Sequence, residues 1–432
     1  MKASLRLLTK RRFAPLFATQ LLGAFNDNLF KNAMVLFVVY SVYSDPRAET
    51  WFSALATAAA TLPFFLLSAL AGQLADQRDK AAIIRLVKLA EIGIMAVGAA
   101  GLMMAWLGAA VELVAIPLMM MAMLAMGIHS TFFGPIKYAI LPQHLSDDEV
   151  LGGTGLVEAG TYIAILAGTI LASLIHVEVA AVVVLGVACI GYVTGRLVPP
   201  APPLAPPVKL DFHIVRASVH LVSATLHIPR LFLAILSISF FWTIGTVLFI
   251  QFPPLVKNVL GADKAIAGLF LGIFSVGVAI GSILINRMLQ GHVSAKFAPA
   301  SVIGMGGFVI LFHVICRVWQ TGLAPGQLMS MHDFLYHDLA IPLVLSLLGI
   351  AVSGGMFVVP LYAFLTTTVD KSRAARTVAA NNIVNSGAMV VGAVITLGMS
   401  ALGVTVVNQL LFTASMTVIS AILAQKLHRA CD

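Results

Sequence analysis

The sequence contains 432 residues, of which 60% are hydrophobic and only 10% are charged. An average soluble domain carries about 25% charged residues, so this chain has too few charges to cover a water-soluble surface, and its mean hydropathy of +0.99 agrees. Soluble enzymes, disordered chains and secreted disulfide scaffolds are excluded, and a polytopic membrane protein remains. The three cysteines are odd in number and widely spaced, so we expect neither a disulfide framework nor a metal site.

Twelve apolar segments are long enough to cross a bilayer, since a spanning helix needs about 20 residues. The segments of the first half are 13–43, 51–75, 81–107, 112–137, 150–175 and 177–198. Those of the second half are 230–256, 265–289, 298–319, 338–368, 377–402 and 404–426. We predict an all-α integral membrane protein with twelve transmembrane helices, in two pseudo-symmetric six-helix bundles at 1–198 and 230–432 that a linker at 199–229 joins.

Lysine and arginine residues concentrate in alternate loops. With a cytoplasmic N-terminus, the cytoplasmic side receives most of them, including Arg85 and Lys88, whereas the outer loops hold few, such as Lys257, together with acids such as Glu49. By the positive-inside rule, both termini are then cytoplasmic. The net charge of +8 thus reflects membrane topology, and we expect no nucleic-acid partner.

The linker begins with repeated prolines at 199–207, which keep the chain extended. Beyond them, His213, Arg216, His220 and His227 recur every three or four residues beside an apolar stripe. This pattern indicates a helix that lies on the cytoplasmic membrane surface. Histidines at this spacing are also compatible with a metal site, but we favour a solvated basic face and expect no metal or other cofactor.

Weak internal sequence similarities relate the two halves. Residues 155–160 in span five resemble 382–387 in span eleven, and 135–139 in span four have a looser match at 360–363 in span ten. Their common order supports two related bundles. Transporters built in this way enclose their substrate between the bundles, near the membrane midplane.

Span one carries an unusual set of polar residues. Asn26, Asp27 and Asn28 are followed by Lys31, one helical turn beyond Asp27. Each ionisable group inside a membrane costs roughly 2.5–3.5 kcal/mol on insertion scales, although Asp27 and Lys31 share a helix face and can partly neutralise each other. We predict that this stripe faces a substrate cavity. The alternative is an ion pair that only holds helices together.

Further candidate binding residues lie where polar and aromatic side chains interrupt the other spans. They are Phe132, Lys137 and Tyr138 in span four, Glu158 and Tyr162 in span five, Trp242 in span seven, Tyr362 in span ten, and Asn381, Asn382 and Asn385 in span eleven. Asn385 occupies in the second half the position that Glu158 occupies in the first. Interhelical hydrogen bonds, a lysine that reaches the membrane surface, and plain aromatic packing are the alternative explanations.

Span two ends in an ordered charge pattern that contains Gly72, Asp76, Arg78 and Lys80. Glycine permits close approach of helices, and the acid is suited to cap or pair at a neighbouring helix N-terminus, where the dipole is positive. We predict that these four residues gate the cytoplasmic side.

The sequence contains no convincing catalytic motif. His332, Asp333, His337 and Asp338 lie in the loop before span ten, but their spacing does not give the H-x4-D pattern of glycerolipid acyltransferases. A charged loop is the simpler interpretation. No phosphate-binding or nucleotide fingerprint is present either, so we expect the chain not to be an enzyme.

Two sets of motifs resemble a known group. The sequence from Gly72 to Lys80 resembles the signature loop between helices two and three of the major facilitator superfamily, with Asp79 where glycine is usual. Three further stretches resemble the lysophospholipid transporter branch of that superfamily, at 20–28, 132–138 and 155–159. In some bacteria this transporter domain is fused to acyltransferase and acyl-activating domains. This chain ends at Asp432, and we expect no attached enzyme.

The resemblance implies a flippase that moves lysophospholipid, chiefly lysophosphatidylethanolamine, from the outer to the inner leaflet of a bacterial inner membrane. A cytoplasmic acyltransferase or acyl-ACP synthetase would then reacylate it. A zwitterionic headgroup needs a cation for its phosphate and a carboxylate for its ammonium. Lys31 or Lys137 would supply the first, and Asp27 or Glu158 the second. The other expected partners are membrane lipids, and we expect a monomer.

The leading hypothesis is therefore a lysophospholipid transporter that works by alternating access of two bundles. One alternative is a proton-coupled efflux pump for amphipathic drugs, with Asp27 or Glu158 as proton carrier. Another is an integral-membrane lipid acyltransferase. The energy source is open between proton coupling, sodium coupling and downhill movement trapped by reacylation.

Overall fold

The structure is a computed structural model that describes residues 6–203, 210–289, 294–320, 327–367 and 371–431. These residues are almost entirely helical, and their one β-type pairing is an isolated bridge between Ala262 and Met329. The prediction of an all-α fold is confirmed.

In these described ranges, twelve helices have 20 or more residues, and we number them α1 to α12. The first six are α1 (Ala14–Phe37), α2 (Pro46–Gln77), α3 (Lys80–Trp106), α4 (Ile116–Ala139), α5 (Asp147–Leu174) and α6 (Val177–Arg196). The others are α7 (Pro229–Asn258), α8 (Lys264–Met288), α9 (Ala298–Val318), α10 (Ala340–Thr367), α11 (Lys371–Ala401) and α12 (Val406–Cys431). Between α6 and α7 lies one more helix, Ile214–Leu226, which we call the linker helix. The predicted spans fall on α1 to α12 in order.

Ten helices of the described part are long and apolar enough to cross a membrane, which confirms a multi-pass membrane protein. The exceptions among the twelve are α1 and α5. The first carries Asn26, Asp27, Asn28 and Lys31, and the apolar part found in the second is Ile163–Leu174. The count of twelve spans and the side of each terminus stay predictions.

The turn between α2 and α3 is held by the residue that departs from the superfamily pattern. Asp79 is the N-cap of α3, and its Oδ1 accepts from the backbone N–H of Ala81 at 2.9 Å and of Ala201 at 3.0 Å. The Lys80 N–H donates to the Ala201 carbonyl oxygen at 3.0 Å. An aspartate here therefore caps a helix, as N-cap residues do, and also fastens the start of the linker.

By its internal contacts the chain divides into two compact units. Unit 1 comprises Met1–Phe37 and Leu66–Ala217. Within it, α1 packs on α5 and α6, and α3 packs on α4 and α6. Aromatic and aliphatic side chains, among them Phe13, Ile84 and Phe133, form a buried apolar cluster in this unit.

Unit 2 comprises Val38–Phe65 and Ser218–Asp432. Within it, α7 packs on α11 and α12, and α9 packs on α10 and α12. The same pairs, counted from the first helix of each half, occur in unit 1, which agrees with two pseudo-symmetric halves. The Val38–Phe65 segment groups with the second half by its contacts, whereas the sequence prediction assigns it to 1–198.

Helices α8 and α10 of unit 2 meet along a line of glycines. Gly277 and Gly281 are four residues apart on α8, and a methyl group at Gly281 would collide with the Val352 carbonyl oxygen of α10. In the opposite direction, a methyl group at Gly355 would collide with the Val278 carbonyl oxygen of α8. Small residues at this spacing let helix backbones touch inside a membrane.

Unit 2 also buries an ion pair between two residues that the sequence analysis assigns to outer loops. Glu49 is fully buried, and its carboxylate accepts from the Lys257 ammonium at 2.6 Å and from the Asn258 amide. The same ammonium donates to the Val39 and Tyr43 carbonyl oxygens at 2.5 and 2.7 Å. Glu49 and Lys257 therefore lie in α2 and α7 and not in loops. The side of the membrane on which they lie stays a prediction.

We expect Glu49→Gln to destabilise the protein by about 3–5 kcal/mol, because it leaves the Lys257 cation without its counter-charge. Thermal unfolding in detergent measures this effect. Asp45→Asn, which removes an exposed carboxylate nearby, is the control and should leave the midpoint unchanged. Equal midpoints for Glu49→Gln and wild type would contradict the prediction.

Candidate functional site

The polar stripe of α1 meets a carboxylate that the sequence analysis missed. Asn26 is fully buried and its amide donates to Glu91 Oε1 of α3 at 3.0 Å. Glu91 Oε2 accepts from the Lys88 ammonium at 2.5 Å and lies 3.2 Å from His129 Nε2 of α4. An amide, an ammonium and an imidazole thus surround one carboxylate, as burial of a charge requires.

Glycines and an aromatic ring make room for the Lys88 side chain. A methyl group at Gly23 of α1 would lie 2.6 Å from the ammonium, and Gly191 and Gly195 of α6 lie against the same side chain. The ammonium also stands 5.2 Å from the centre of the Phe133 ring, a cation–π distance. Lys88 is fully buried, so its ammonium contacts protein groups and not solvent.

Asp27 belongs to the same network through α4. Ser130 Oγ donates to Asp27 Oδ2 at 2.5 Å, and His129 Nδ1 lies 3.4 Å from that hydroxyl oxygen. The other carboxylate oxygen, Oδ1, is buried without a hydrogen-bond partner in the part of the chain that the structure describes. Asp27 therefore keeps one acceptor for a further donor.

The two predicted lysines of unit 1 have different surroundings. Among the described residues no ion pair joins Lys31 to Asp27 within 4.0 Å, because Asp27 turns to Ser130 instead. The Lys137 ammonium lies 3.4 Å from Thr161 Oγ1, and that hydroxyl lies 2.9 Å from Gln20 Oε1. Lys137 thus joins a polar chain between α4, α5 and α1.

Unit 2 brings together three predicted residues from three helices. The Trp242 indole N–H of α7 donates to the Tyr362 hydroxyl of α10 at 2.7 Å. The amide of Asn385 on α11 lies 3.4 Å from the same hydroxyl, and its oxygen accepts from Ser239 at 2.6 Å. All four groups are uncharged, and Ser239 is the member that the sequence analysis missed.

The other two predicted asparagines of α11 differ in their burial. Asn381 is fully buried, and neither its amide nitrogen nor its oxygen has a hydrogen-bond partner within the described ranges. Asn382 is exposed. Asn28 of α1 donates to the Ala24 carbonyl oxygen of its own helix at 2.9 Å, so part of its polarity is satisfied locally.

The structure describes only some of the predicted gate residues and of the remaining predicted binding residues. Gly72 lies in α2, Arg78 is exposed after it, Lys80 is buried at the start of α3, and Phe132 is half-buried in α4. Four predicted side chains fall outside what the structure describes and stay predictions: Asp76, Tyr138, Glu158 and Tyr162.

The sequence does contain a feature that identifies the charged residues of this network. Lys88, Glu91 and His129 all lie inside predicted spans, and the rule that flags an ionisable group within the membrane applies to them as it does to Asp27. Lys88 and Glu91 are also three residues apart, on one face of a helix. No group of three His, Cys, Asp or Glu side chains suited to a metal ion occurs in the described residues.

Comparisons with known proteins agree with this architecture. A family model described as Major Facilitator Superfamily matches residues 16–393. The Lysophospholipid transporter LplT of Citrobacter koseri is 25% identical over 395 residues, which cover 90% of this chain and 87% of the relative. That of Serratia proteamaculans is 25% identical over 408 residues, with 92% and 90% covered. The crystal structure of a D-xylose-proton symporter has the same fold, with a TM-score of 0.69, 15% identity, and coverage of 96% of this chain and 97% of that chain.

We expect Glu91→Gln to lower the free energy of unfolding by about 3–5 kcal/mol, because the buried Lys88 cation loses its partner. Adding Lys88→Met to this variant should restore most of the loss. Unfolding in detergent measures both, and Glu112→Gln, at an exposed carboxylate, is the matched control. A Glu91→Gln protein as stable as wild type would contradict the proposed role of the network in holding α1, α3 and α4 together.

A double-mutant cycle tests the cluster of unit 2. Trp242→Phe and Tyr362→Phe each remove one partner of the indole–hydroxyl bond, and their coupling energy should be about 1 kcal/mol. Unfolding midpoints of the two single variants and the double variant supply this value. Tyr336→Phe, at an exposed tyrosine, should show no coupling to Trp242→Phe. Additive effects of the two cluster variants would show that the bond contributes nothing.

Proposed function

Because this chain belongs to the Major Facilitator Superfamily, we propose that it transports lysophospholipids. The observation that carries the proposal is the match to relatives named Lysophospholipid transporter over 90% or more of the chain. Membership of this family also decides between the transporter and acyltransferase hypotheses, since the chain is a transporter and not an enzyme.

The chemistry of α1 suits a zwitterionic headgroup. The Oδ1 atom of Asp27 is an acceptor without a protein partner in the described ranges, and an ammonium is the donor that best matches a carboxylate. Lys31 lies one turn away, about 6 Å along the helix axis, and it is suited to a phosphate. Since the two side chains do not pair with each other, both charges are available to a ligand that carries the opposite pair.

Other polar groups extend this assignment. Lys137 is a second cation for a phosphate in unit 1, where it neighbours Thr161 and Gln20. In unit 2, the cluster of Trp242, Tyr362 and Asn385 offers uncharged donors and acceptors of the kind that bind glycerol hydroxyl or ester oxygens. We include Glu158 as the second candidate for the ammonium.

The finer proposal concerns direction and headgroup. The substrate is lysophosphatidylethanolamine, which moves from the outer to the inner leaflet of a bacterial inner membrane by alternating access. A cytoplasmic acyltransferase or acyl-ACP synthetase then converts it to a two-chain lipid. Support for this comes from the resemblance of residues 20–28, 132–138 and 155–159 to the lysophospholipid transporter branch.

The test uses the purified protein in liposomes that carry fluorescent lysophosphatidylethanolamine in one leaflet, with extraction by albumin as the readout of leaflet position. We expect protein-dependent transfer, and we expect Asp27→Asn to slow it about 10-fold or more, the value of a charge-assisted hydrogen bond. Asp333→Asn, at an exposed carboxylate, should transfer lipid like wild type. Absence of protein-dependent transfer would overturn the proposal.

Lipids with different headgroups distinguish the proposed role of Asp27 from that of Lys31. Lysophosphatidylglycerol has the phosphate but no ammonium, so Asp27→Asn should impair its transfer much less than that of lysophosphatidylethanolamine. Lys31→Gln should impair both lipids alike, because both carry the phosphate. Imposed proton or sodium gradients in the same liposomes reveal the energy source. Equal losses for both lipids in Asp27→Asn would contradict the assignment of the ammonium to Asp27.

A further inference from the structure

The linker helix, Ile214–Leu226, presents three different faces. At 100° per residue, Ile214, Ala217, Leu221 and Thr225 share one side of the helix. Their side chains are buried or half-buried, so this side is covered by the protein. The other two faces, one apolar and one basic, account for the exposed residues of the helix.

The apolar outer face consists of Val215, Val219, Val222 and Leu226, of which the last two are half-buried. Val215 is 70% exposed and Val219 is 59% exposed, and Phe212, just before the helix, is 70% exposed. Exposed branched and aromatic side chains in a row are costly in water, by roughly 25 cal/mol per Å² of apolar surface. An apolar environment is therefore the expected neighbour of this face.

The basic outer face runs beside the apolar one. His213, Arg216, His220 and His227 lie along it, and all four are exposed. The Arg216 guanidinium bonds to Asp211 at 2.8 and 3.1 Å, and these bonds lower the pKa of the Asp211 carboxyl. Arginine side chains and imidazole N–H groups are donors that suit phosphate oxygens.

The linker is also fastened to the loop that holds the predicted gate. The Asp211 N–H donates to Gln73 Oε1 of α2 at 2.8 Å, and the Gln73 amide returns a longer bond of 3.5 Å to the Asp211 carbonyl oxygen. At the other end of the loop, Asp79 holds Ala201. The linker therefore meets the Gly72–Lys80 loop at two points, ten residues apart in the linker.

We propose that the outer side of the linker helix binds the surface of the bilayer, with the apolar face in the acyl boundary and the basic face on lipid phosphates. The occupant is lipid and not protein, because the helix ends at Leu226 and the candidate span α7 begins at Pro229. Two connecting residues keep the helix at the membrane surface, where an apolar and a basic face side by side match the two layers of the interface. Lipid contact then bears on the Gly72–Lys80 loop through Gln73 and Asp211.

The test is a scan of single fluorescent labels in the full-length protein, with Cys189, Cys316 and Cys431 replaced by serine. Cysteines introduced at Val215 and Val219, at Arg216 and His220, and at Ala217 and Leu221 sample the three faces. In vesicles of phospholipids brominated on the acyl chain, we expect quenching to be strongest at Val215 and Val219, in a pattern with a period of about 3.6 residues. Quenching of these two labels by aqueous iodide, with none by brominated lipid, would overturn the proposal. The readout does not depend on transport, so it stands apart from the proposed substrate.

A second arm tests the phosphate contacts. Arg216→Ala combined with His220→Ala should weaken lipid quenching of the Val219→Cys label in phospholipid vesicles, and His332→Ala, at an exposed histidine elsewhere, should not. In vesicles of galactolipids, which have no phosphate, the double variant and its parent should be quenched equally. The same loss in both lipids, or in neither, would show that the basic face does not bind phosphate.

Discussion

A buried carboxylate requires hydrogen-bond donors around it, and unit 1 is organised around one such carboxylate, Glu91. An unpaired charge in a low-dielectric interior costs several kcal/mol, so Glu91 requires the Lys88 ammonium beside it. The residues that complete the site come from two other helices, since Asn26 lies on α1 and His129 on α4. One electrostatic requirement therefore fixes three helices relative to one another, and Asp27 inherits its position from them through Ser130. The glycines around Lys88 follow from the same need, because the buried ammonium fills the volume that their side chains would occupy.

The two units share a helix arrangement but not a chemistry. The pairing of α1 with α5 and α6 recurs as the pairing of α7 with α11 and α12. Unit 1 has ionisable groups at its polar centre, whereas unit 2 has an indole, a phenol, an amide and a hydroxyl. Internal repetition of a fold constrains backbone packing much more strongly than side-chain identity.

Much of the fold followed from periodicity and composition, because a membrane leaves a chain few alternatives to long apolar helices. The predicted spans fall on α1 to α12, and three of the predicted binding residues, Trp242, Tyr362 and Asn385, are in contact. Local patterns reveal one of the two buried ion pairs and not the other. Glu91 lies three residues after Lys88 on the same helix, so helical spacing alone predicts their contact. Lys257 pairs with Glu49 on another helix, and that partner depends on tertiary packing that no local pattern contains.

The glycine line between α8 and α10 has a consequence for where a lipid tail can go. Two helices whose backbones touch leave no gap between them, and the carbonyl oxygens of Val278 and Val352 already fill the space that side chains would otherwise keep open. An acyl chain is several ångströms thick and enters a helical bundle only where side chains can swing aside. Along these glycines, α8 and α10 therefore leave no room for an acyl chain to pass between them. Any sideways passage for a single-chain lipid in that unit must open along a helix pair that bulky, rotatable side chains separate.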